Sequence, residues 1–290
     1  MKRFLLLIIL FPMLAPAQRD SLDIKIGQMI IMGLDNFHKL DKEEPMLRDI
    51  KNGTLGNVII YAKHIDKKKP IKSLLKINQY IQEIAPIPVF IAIDEEGGKV
   101  NRLKPKYGFA ETRSAQYLGQ LQNEDSTRYF ARSSAIAMKS VGINMNFAPD
   151  VDVDINPSNP VIGSKERSYS ADHSVVSAQA GMMIEEQSKA GIINVLKHFP
   201  GHGSSASDTH LGVADVSDSW KLEELYPYRS LMNKGKVQAI MTAHIVNERL
   251  DESLKPATLS EKIITDLLRD FMGYDCLVIS DDMKLHASSK

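Results

Sequence analysis

Pro88-Val89-Phe90-Ile91-Ala92-Ile93-Asp94 is an unbroken apolar run that ends on an acid. A run of this kind, with no polar residue on either side of the pleat, is built for burial on both faces. That is the condition of a strand in a parallel sheet covered by helices. Cys276-Leu277-Val278-Ile279-Ser280-Asp281 repeats the pattern near the far end of the chain. Working outward from these two, strands are expected over residues 28–34, 55–61, 88–94, 144–153, 194–199, 239–245 and 276–281. Amphipathic helical patterns separate them at 71–84, 125–141, 173–190, 222–234 and 260–271. Ser260 is a good N-cap for the last of these. Gly142, Gly191, Gly235 and Gly273 each fall just past a helix end, where a left-handed cap favours glycine.

Alternation of this kind gives either a doubly wound open sheet or a (β/α)8 barrel. The polar residues decide between them. Almost every strand ends in a charged or polar group: Asp94, Asp150, Lys197-His198, His244 and Asp281-Asp282. In a barrel the C-terminal strand ends converge on one mouth, so these groups would meet, whereas an open sheet would scatter them along a crevice. The expected fold class is therefore α/β, a TIM-type (β/α)8 barrel, truncated after its seventh strand. An eighth unit, or a further C-terminal domain, is expected beyond Lys290 in a full product.

Composition narrows the function. The chain has 290 residues, 43% hydrophobic and 25% charged, which is ordinary globular usage and excludes disordered, collagen-like and coiled-coil classes. Lys+Arg and Asp+Glu both number 36, so no basic excess speaks for nucleic acid. The single cysteine, Cys276, excludes an internal disulfide framework and any multi-thiolate metal site. At the N-terminus, Lys2 and Arg3 precede an apolar run over residues 4–11, followed by Ala15-Pro16-Ala17. This is the layout of a secretory signal peptide, and the run is too short to span a bilayer. Residues 1–17 are expected to be removed. Residues 18–290 would form the barrel, working in the periplasm or outside the cell with no stable membrane insertion.

The densest polar stretch is Lys197-His198-Phe199-Pro200-Gly201-His202-Gly203, continuing through Ser204 and Ser205 to Asp208-Thr209-His210. His198, His202, Asp208 and His210 could together ligate a metal. Glycine and serine fill the intervals, however, which predicts a mobile loop rather than a rigid ligand cage. An Asp-x-His pair on such a loop suits proton transfer, Asp208 orienting His210 and raising its basicity. No metal and no other cofactor is expected. In Ser280-Asp281-Asp282 the pleat lets only one of the two acids face the mouth. Asp94 ends a strand before Glu95-Glu96-Gly97-Gly98 and Arg102, and could accept hydrogen bonds from sugar hydroxyls. Residues 160–169 form a long loop that presents Arg167.

In this order the segments IDEEGGKVNRL, NMNFAPDVDV, NPVIGSKERSY, KHFPGHGSSASDTH, MTAHI, PATLS and VISDDM resemble the catalytic barrel of glycoside hydrolase family 3, and within it the bacterial β-N-acetylhexosaminidases. The likeness runs from about residue 27 to residue 290, and the KHFPGHG segment with its Asp-x-His is the most discriminating part. The resemblance implies Asp281 as nucleophile, His210 as acid/base paired with Asp208, and Asp94, Arg102, Arg167, Lys197 and His198 as the sugar-holding residues. Its implied substrate is a terminal β-linked N-acetylglucosamine of peptidoglycan-derived or chitin-type fragments, with a glycosyl-aspartate intermediate. Two other readings share these residues: a phosphorylase on the same scaffold, and a non-catalytic sugar-binding barrel.

Overall fold

Seven parallel strands pair in chain order: β1 (Ile31–Gly33), β2 (Asn57–Ile60), β3 (Phe90–Ile93), β4 (Met145–Asn146), β5 (Ile193–Phe199), β6 (Ala239–Thr242) and β7 (Leu277–Ser280). The computed structural model describes residues 21–33, 44–208 and 212–284. Helices α1 (Ser21–Gln28), α2 (Pro45–Asn52), α3 (Pro70–Ile84), α4 (Ala115–Leu121), α5 (Glu124–Ser140), α6 (His173–Lys189), α7 (Tyr226–Asn233) and α8 (Lys262–Phe271, π-wound) lie between and before them. This is the α/β progression of a TIM-type barrel, carried through seven strands. Among the described residues β1 and β7 each have one strand neighbour in the main sheet.

The pleat sorts side chains into two layers. Val58, Ile60, Ile91, Ile93, Leu196 and Ile240 point outward and pack beneath the helices. Ile59, Ala92, Met145, Val195, Ala239 and Met241 point inward and fill the concave side, with Ile31, Phe90 and Ile279 against them. One pleat beyond this inner layer, at the C-terminal rim, stand Tyr61 after β2, Asp94 after β3, Lys197 in β5 and Asp281 after β7. The apolar interior thus ends where the polar mouth begins.

Several boundaries differ from expectation. Segment 144–153 does not form one strand, because Pro149 has no N–H to donate and the ladder stops after Asn146. Pairing continues through isolated contacts: Phe147 N–H to the Ile93 carbonyl at 2.8 Å, Val195 N–H to the Ala148 carbonyl at 3.2 Å and Val151 N–H to the Lys197 carbonyl at 2.9 Å. Gln28, expected to open a strand, closes α1 instead. Segment 222–234 divides into a 3-10 turn, Leu222–Leu225, and α7 with Pro227 in its first turn. Ser260 does cap α8, its Oγ accepting the Ile263 N–H at 3.1 Å. Gly142, Gly191, Gly235 and Gly273 are all left-handed, with φ between 64 and 81. The expected signal peptide lies outside the described residues. Among those residues no helix is long and apolar enough to cross a membrane.

Candidate active site

Lys197 is the hub of the mouth. It is buried, and its Nζ lies 2.9 Å from Asp94 Oδ1 and 2.7 Å from Glu96 Oε1. Burial alone would strip its proton, but Asp94 and Glu96 hold its pKa above the ordinary lysine value, so it remains an ammonium. Arg102 Nη2 reaches the other oxygen of Asp94 at 3.3 Å. Asp94 is thus held between two cations, and its neighbour Glu95 is fastened by the backbone N–H groups of Arg102 (2.8 Å) and Leu103 (3.0 Å).

Arg167 enters from the loop before α6. It donates to Glu96 through Nε (2.8 Å) and Nη2 (2.7 Å), and to the Val161 carbonyl through Nη1 (3.0 Å). Its Nε also lies 3.4 Å from Asp150 Oδ2, and its Nη2 faces His198 Nε2 at 3.3 Å. The opposite ring nitrogen of His198, Nδ1, is 2.7 Å from Asp152 Oδ2. Burial and the Arg167 charge push His198 down to about 4, so the ring is neutral near pH 7. These contacts assign the tautomer: Nδ1–H donates to Asp152, and Nε2 is left as an acceptor beside Arg167. Asp150, Asp152 and His198 bring three possible metal donors within 4.8 Å of one another. The Arg167 guanidinium lies against Asp150, yet burial and the neighbouring Asp152 hold the Asp150 pKa well above the ordinary aspartate value.

Asp281 follows β7 directly, and its N–H donates to the Thr242 carbonyl at 3.1 Å. It is half-buried, whereas Asp282 is exposed, as the pleat requires. Burial opposes its ionisation, yet His198, the Asp282 N–H donating to Oδ1 at 2.8 Å, Lys197 and His244 hold its pKa below the ordinary aspartate value. An ionised carboxylate beside a lysine-lined mouth is chemically a nucleophile or an anchor for positive charge.

The glycine-rich segment after β5 is more enclosed than its composition suggests. Residues 200–205 are buried and held by hydrogen bonds. Asp152 Oδ1 accepts the His202 N–H at 2.7 Å, Glu224 Oε2 accepts the Gly203 N–H at 2.8 Å, and Asn159 Nδ2 donates to the His202 carbonyl at 2.7 Å. A Cβ at Gly203 would lie 1.8 Å from the Val153 carbonyl oxygen, and one at Gly201 would lie 2.4 Å from Glu224 Cβ. Glycine is there for close backbone approach. Asp208 stands half-buried at the end of this stretch. His210 lies outside the described residues, and so does its pairing with Asp208.

Asp94, Arg102, Arg167, Lys197, His198 and Asp281 therefore gather at one end of the sheet. Glu96 and Asp152 were not singled out from the sequence, although they orient Arg167 and His198. Their signal was alternation: Glu96 is two residues past Asp94, and Asp152 two past Asp150. Taken together the mouth offers fixed cations, fixed carboxylates and a neutral imidazole at close range. Such a set can hold a neutral polyol through many donor and acceptor contacts and expose one bound carbon to an ionised carboxylate.

Residues 21–290 match the model of the glycosyl hydrolase family 3 N terminal domain. The chain is 34% identical over 249 residues to β-hexosaminidase A of Pseudoalteromonas piscicida, covering 80% of this chain and 41% of that protein. Among solved structures it resembles a glycoside hydrolase family 3 β-N-acetylglucosaminidase from Paenibacillus sp. str. FPU-7, with a TM-score of 0.84 and 31% identity over 93% of this chain and 50% of that one. It also resembles NagZ from Neisseria gonorrhoeae in complex with N-trifluoroacetyl-D-glucosamine, with a TM-score of 0.78 and 27% identity over 88% of this chain and 74% of that one. The chain thus spans 41% and 50% of the first two of these proteins.

Proposed function

Because the chain belongs to glycosyl hydrolase family 3, we propose that it is the barrel of a retaining exo-glycosidase that removes terminal β-linked N-acetylglucosamine from peptidoglycan-derived or chitin-type oligosaccharides. The observation that carries this reading is the convergence of Asp94, Lys197, Arg167 and His198 on one mouth with an ionised Asp281. The likeness to proteins described as a β-hexosaminidase and a β-N-acetylglucosaminidase, and to a structure holding an N-acylated glucosamine, supports the choice of sugar.

In this mechanism Asp94 accepts from sugar hydroxyls while Lys197 and Arg102 hold its two oxygens in place. Arg167 and the acceptor nitrogen of His198 line the sugar on the other side. Asp281 attacks the anomeric carbon and forms a glycosyl-aspartate as the aglycone leaves. His210, oriented by Asp208, protonates the departing oxygen and then takes a proton from the incoming water. A histidine serves both steps near neutrality, since its unperturbed pKa is about 6.5. Export belongs to the same reading, with a mature chain starting near Gln18 in the periplasm or medium, where such glycans occur.

The test compares an aryl β-N-acetylglucosaminide with the matching aryl β-glucoside, with and without phosphate. Turnover of the first alone, giving free sugar at any phosphate concentration and abolished by Asp281→Asn, is the expected result. Preference for the glucoside, or a sugar phosphate product, overturns it. Sugar binding without turnover in the wild type would make the barrel a binding module.

A further inference from the structure

Tyr61 stands at the mouth with no function assigned by the reading above. It follows β2 immediately, and the parallel register Asn57↔Phe90 through Ile60↔Ile93 continues to place Tyr61 beside Asp94. Its ring packs against the inner apolar layer that includes Ile59 and Ile279. On its other side the neighbouring strand carries Gly33, where a Cβ would lie 2.6 Å from Tyr61 Cε2. The ring thus lies over a position where any other residue would displace it. It also meets the His64 ring, with centroids 5.5 Å apart. Three sides of the ring are fixed, while among the described residues no hydrogen bond ends on its hydroxyl.

Tyr61 is half-buried with its hydroxyl open to solvent, so a ligand can reach it. The hydroxyl lies close enough to Asp282, Asp94 and Asp281 for their charges to act on it. Burial, then Asp282, Asp94 and Asp281, push the phenol up to about 12, so it stays a donor across the whole working pH range. The carboxylates beside it can only accept. A sugar hydroxyl needs both: an acceptor for its proton and a donor for its oxygen lone pair.

We infer that Tyr61 is a further substrate-binding residue of this site, donating a hydrogen bond to the oxygen of a ring hydroxyl whose proton is taken by Asp94. The inference rests on the proposed glycosidase reading for the identity of the ligand. It makes Tyr61 a specificity-determining contact, because the pair reads one hydroxyl from both sides, and a sugar lacking that hydroxyl leaves both partners unmatched.

Tyr61→Phe tests it, since phenylalanine keeps the ring over Gly33 and removes only the donor. The full chain and its Y61F variant are assayed on an aryl β-N-acetylglucosaminide and on its 3-, 4- and 6-deoxy analogues, with melting temperature as a control for folding. The expected result is a KM raised about tenfold on the parent substrate at nearly unchanged kcat, the worth of one good hydrogen bond. On one of the deoxy analogues the two proteins should become indistinguishable. An unchanged KM on the parent, or an equal loss on every analogue, overturns the inference while leaving the glycosidase reading intact. If the wild type shows no turnover, the same comparison is made by calorimetric titration with N-acetylglucosamine and its deoxy derivatives. Absence of any binding by the wild type would remove both readings together.

Discussion

Arg167 holds Glu96 through two parallel hydrogen bonds, Nε to Oε2 at 2.8 Å and Nη2 to Oε1 at 2.7 Å. The carboxylate is buried, and Lys197 lies 2.7 Å from the same Oε1. Burial opposes ionisation of Glu96, but Arg167 and Lys197 outweigh it and hold its pKa well below the ordinary range. Two cations of the rim are thus held by one acid. Glu96→Gln leaves both cations short of an anion in a dry site. The expected cost is about 3–5 kcal/mol of stability, read by denaturant titration, together with weaker binding of N-acetylglucosamine. Wild-type stability in this variant would mean that Glu96 does not bear on either cation.

The His198 tautomer depends on Asp152. With an amide in place of the carboxylate, Asp152→Asn can offer N–H to Nδ1, and the ring proton then moves to Nε2, against the Arg167 donor 3.3 Å away. A loss of about tenfold to a hundredfold in kcat/KM is expected, the range for a hydrogen bond to a charged group. Nitrogen chemical shifts of the His198 ring give an independent readout. The tautomer assignment fails if the shifts match the wild type.

Much of the fold was legible because both faces of the central strands are apolar, so runs such as residues 88–94 and 276–281 declare a covered parallel sheet without any partner being known. The pleat then carried the polar residues at strand ends to one rim, which is why Asp94, Lys197 and Asp281 could be grouped from sequence. What could not be read was which side chain supports which. Glu96 meets Arg167 across 71 positions and Asp152 meets His198 across 46, separations that only the folded sheet brings together. The enclosure of residues 200–205 after β5 is hidden in the sequence for a related reason. The glycines signal flexibility in isolation, but here they admit the Val153 backbone and Glu224 at contact distance. Segment 144–153 looked like one strand by hydrophobicity, and only the missing N–H of Pro149 divides it.

Glu166 has a left-handed backbone, φ 60, one residue before Arg167. Its carboxylate is 2.6 Å from Lys99 Nζ, and Lys99 also donates to the Ser164 carbonyl at 3.2 Å. This clasp ties the loop after β3 to the loop that carries Arg167. Both side chains are more than a third exposed, so Lys99→Ala should change stability by less than about 1 kcal/mol. It should nevertheless raise KM several-fold, as Arg167 gains freedom. Lys99→Arg should restore most of the affinity. Equal kinetics for the alanine and wild-type proteins would show that the clasp does not position Arg167.

Glu95 is buried, and burial pushes it up to about 7 against the opposing pull of the Leu103 and Arg102 N–H groups. Because its folded pKa is raised, the folded state binds the proton more tightly than the unfolded state between about pH 4.5 and 7. Its contribution is full below the unfolded pKa and is lost as pH rises through the folded one, at most about 1.4 kcal/mol per pH unit. His198 and His202, pushed down to about 4 and about 3 mainly by burial, act in the opposite sense between those values and about 6.5. The Glu95 effect therefore has to be read as a difference. Glu95→Gln keeps the acceptor for Arg102 and Leu103, so its melting temperature relative to the wild type should climb from pH 5 to pH 8. A difference that stays flat with pH would show that Glu95 is ionised throughout.

The two proposed catalytic roles separate by leaving group. Under the proposed mechanism, Asp281→Asn removes the nucleophile and keeps its shape, so no glycosyl-enzyme should form from any substrate. His210→Ala removes only the proposed proton donor. Dinitrophenol departs without protonation, so the first step on a dinitrophenyl glycoside should survive, while hydrolysis of the intermediate lacks its base. A burst followed by slow turnover is expected. Azide attacks without base assistance and should restore turnover, and the proposed α-linked intermediate on Asp281 would make the product a β-glycosyl azide. Asp208→Asn should fall between the wild type and His210→Ala, since it disturbs the orientation and basicity of the imidazole without removing it. If His210→Ala loses activity equally on good and poor leaving groups and azide restores nothing, the proton is handled elsewhere. The remaining imidazole at the mouth with a defined acceptor nitrogen is His198, but its low pKa and its contact with Arg167 leave it a poor proton donor near neutrality. An acid/base role would then have to be sought outside these histidines.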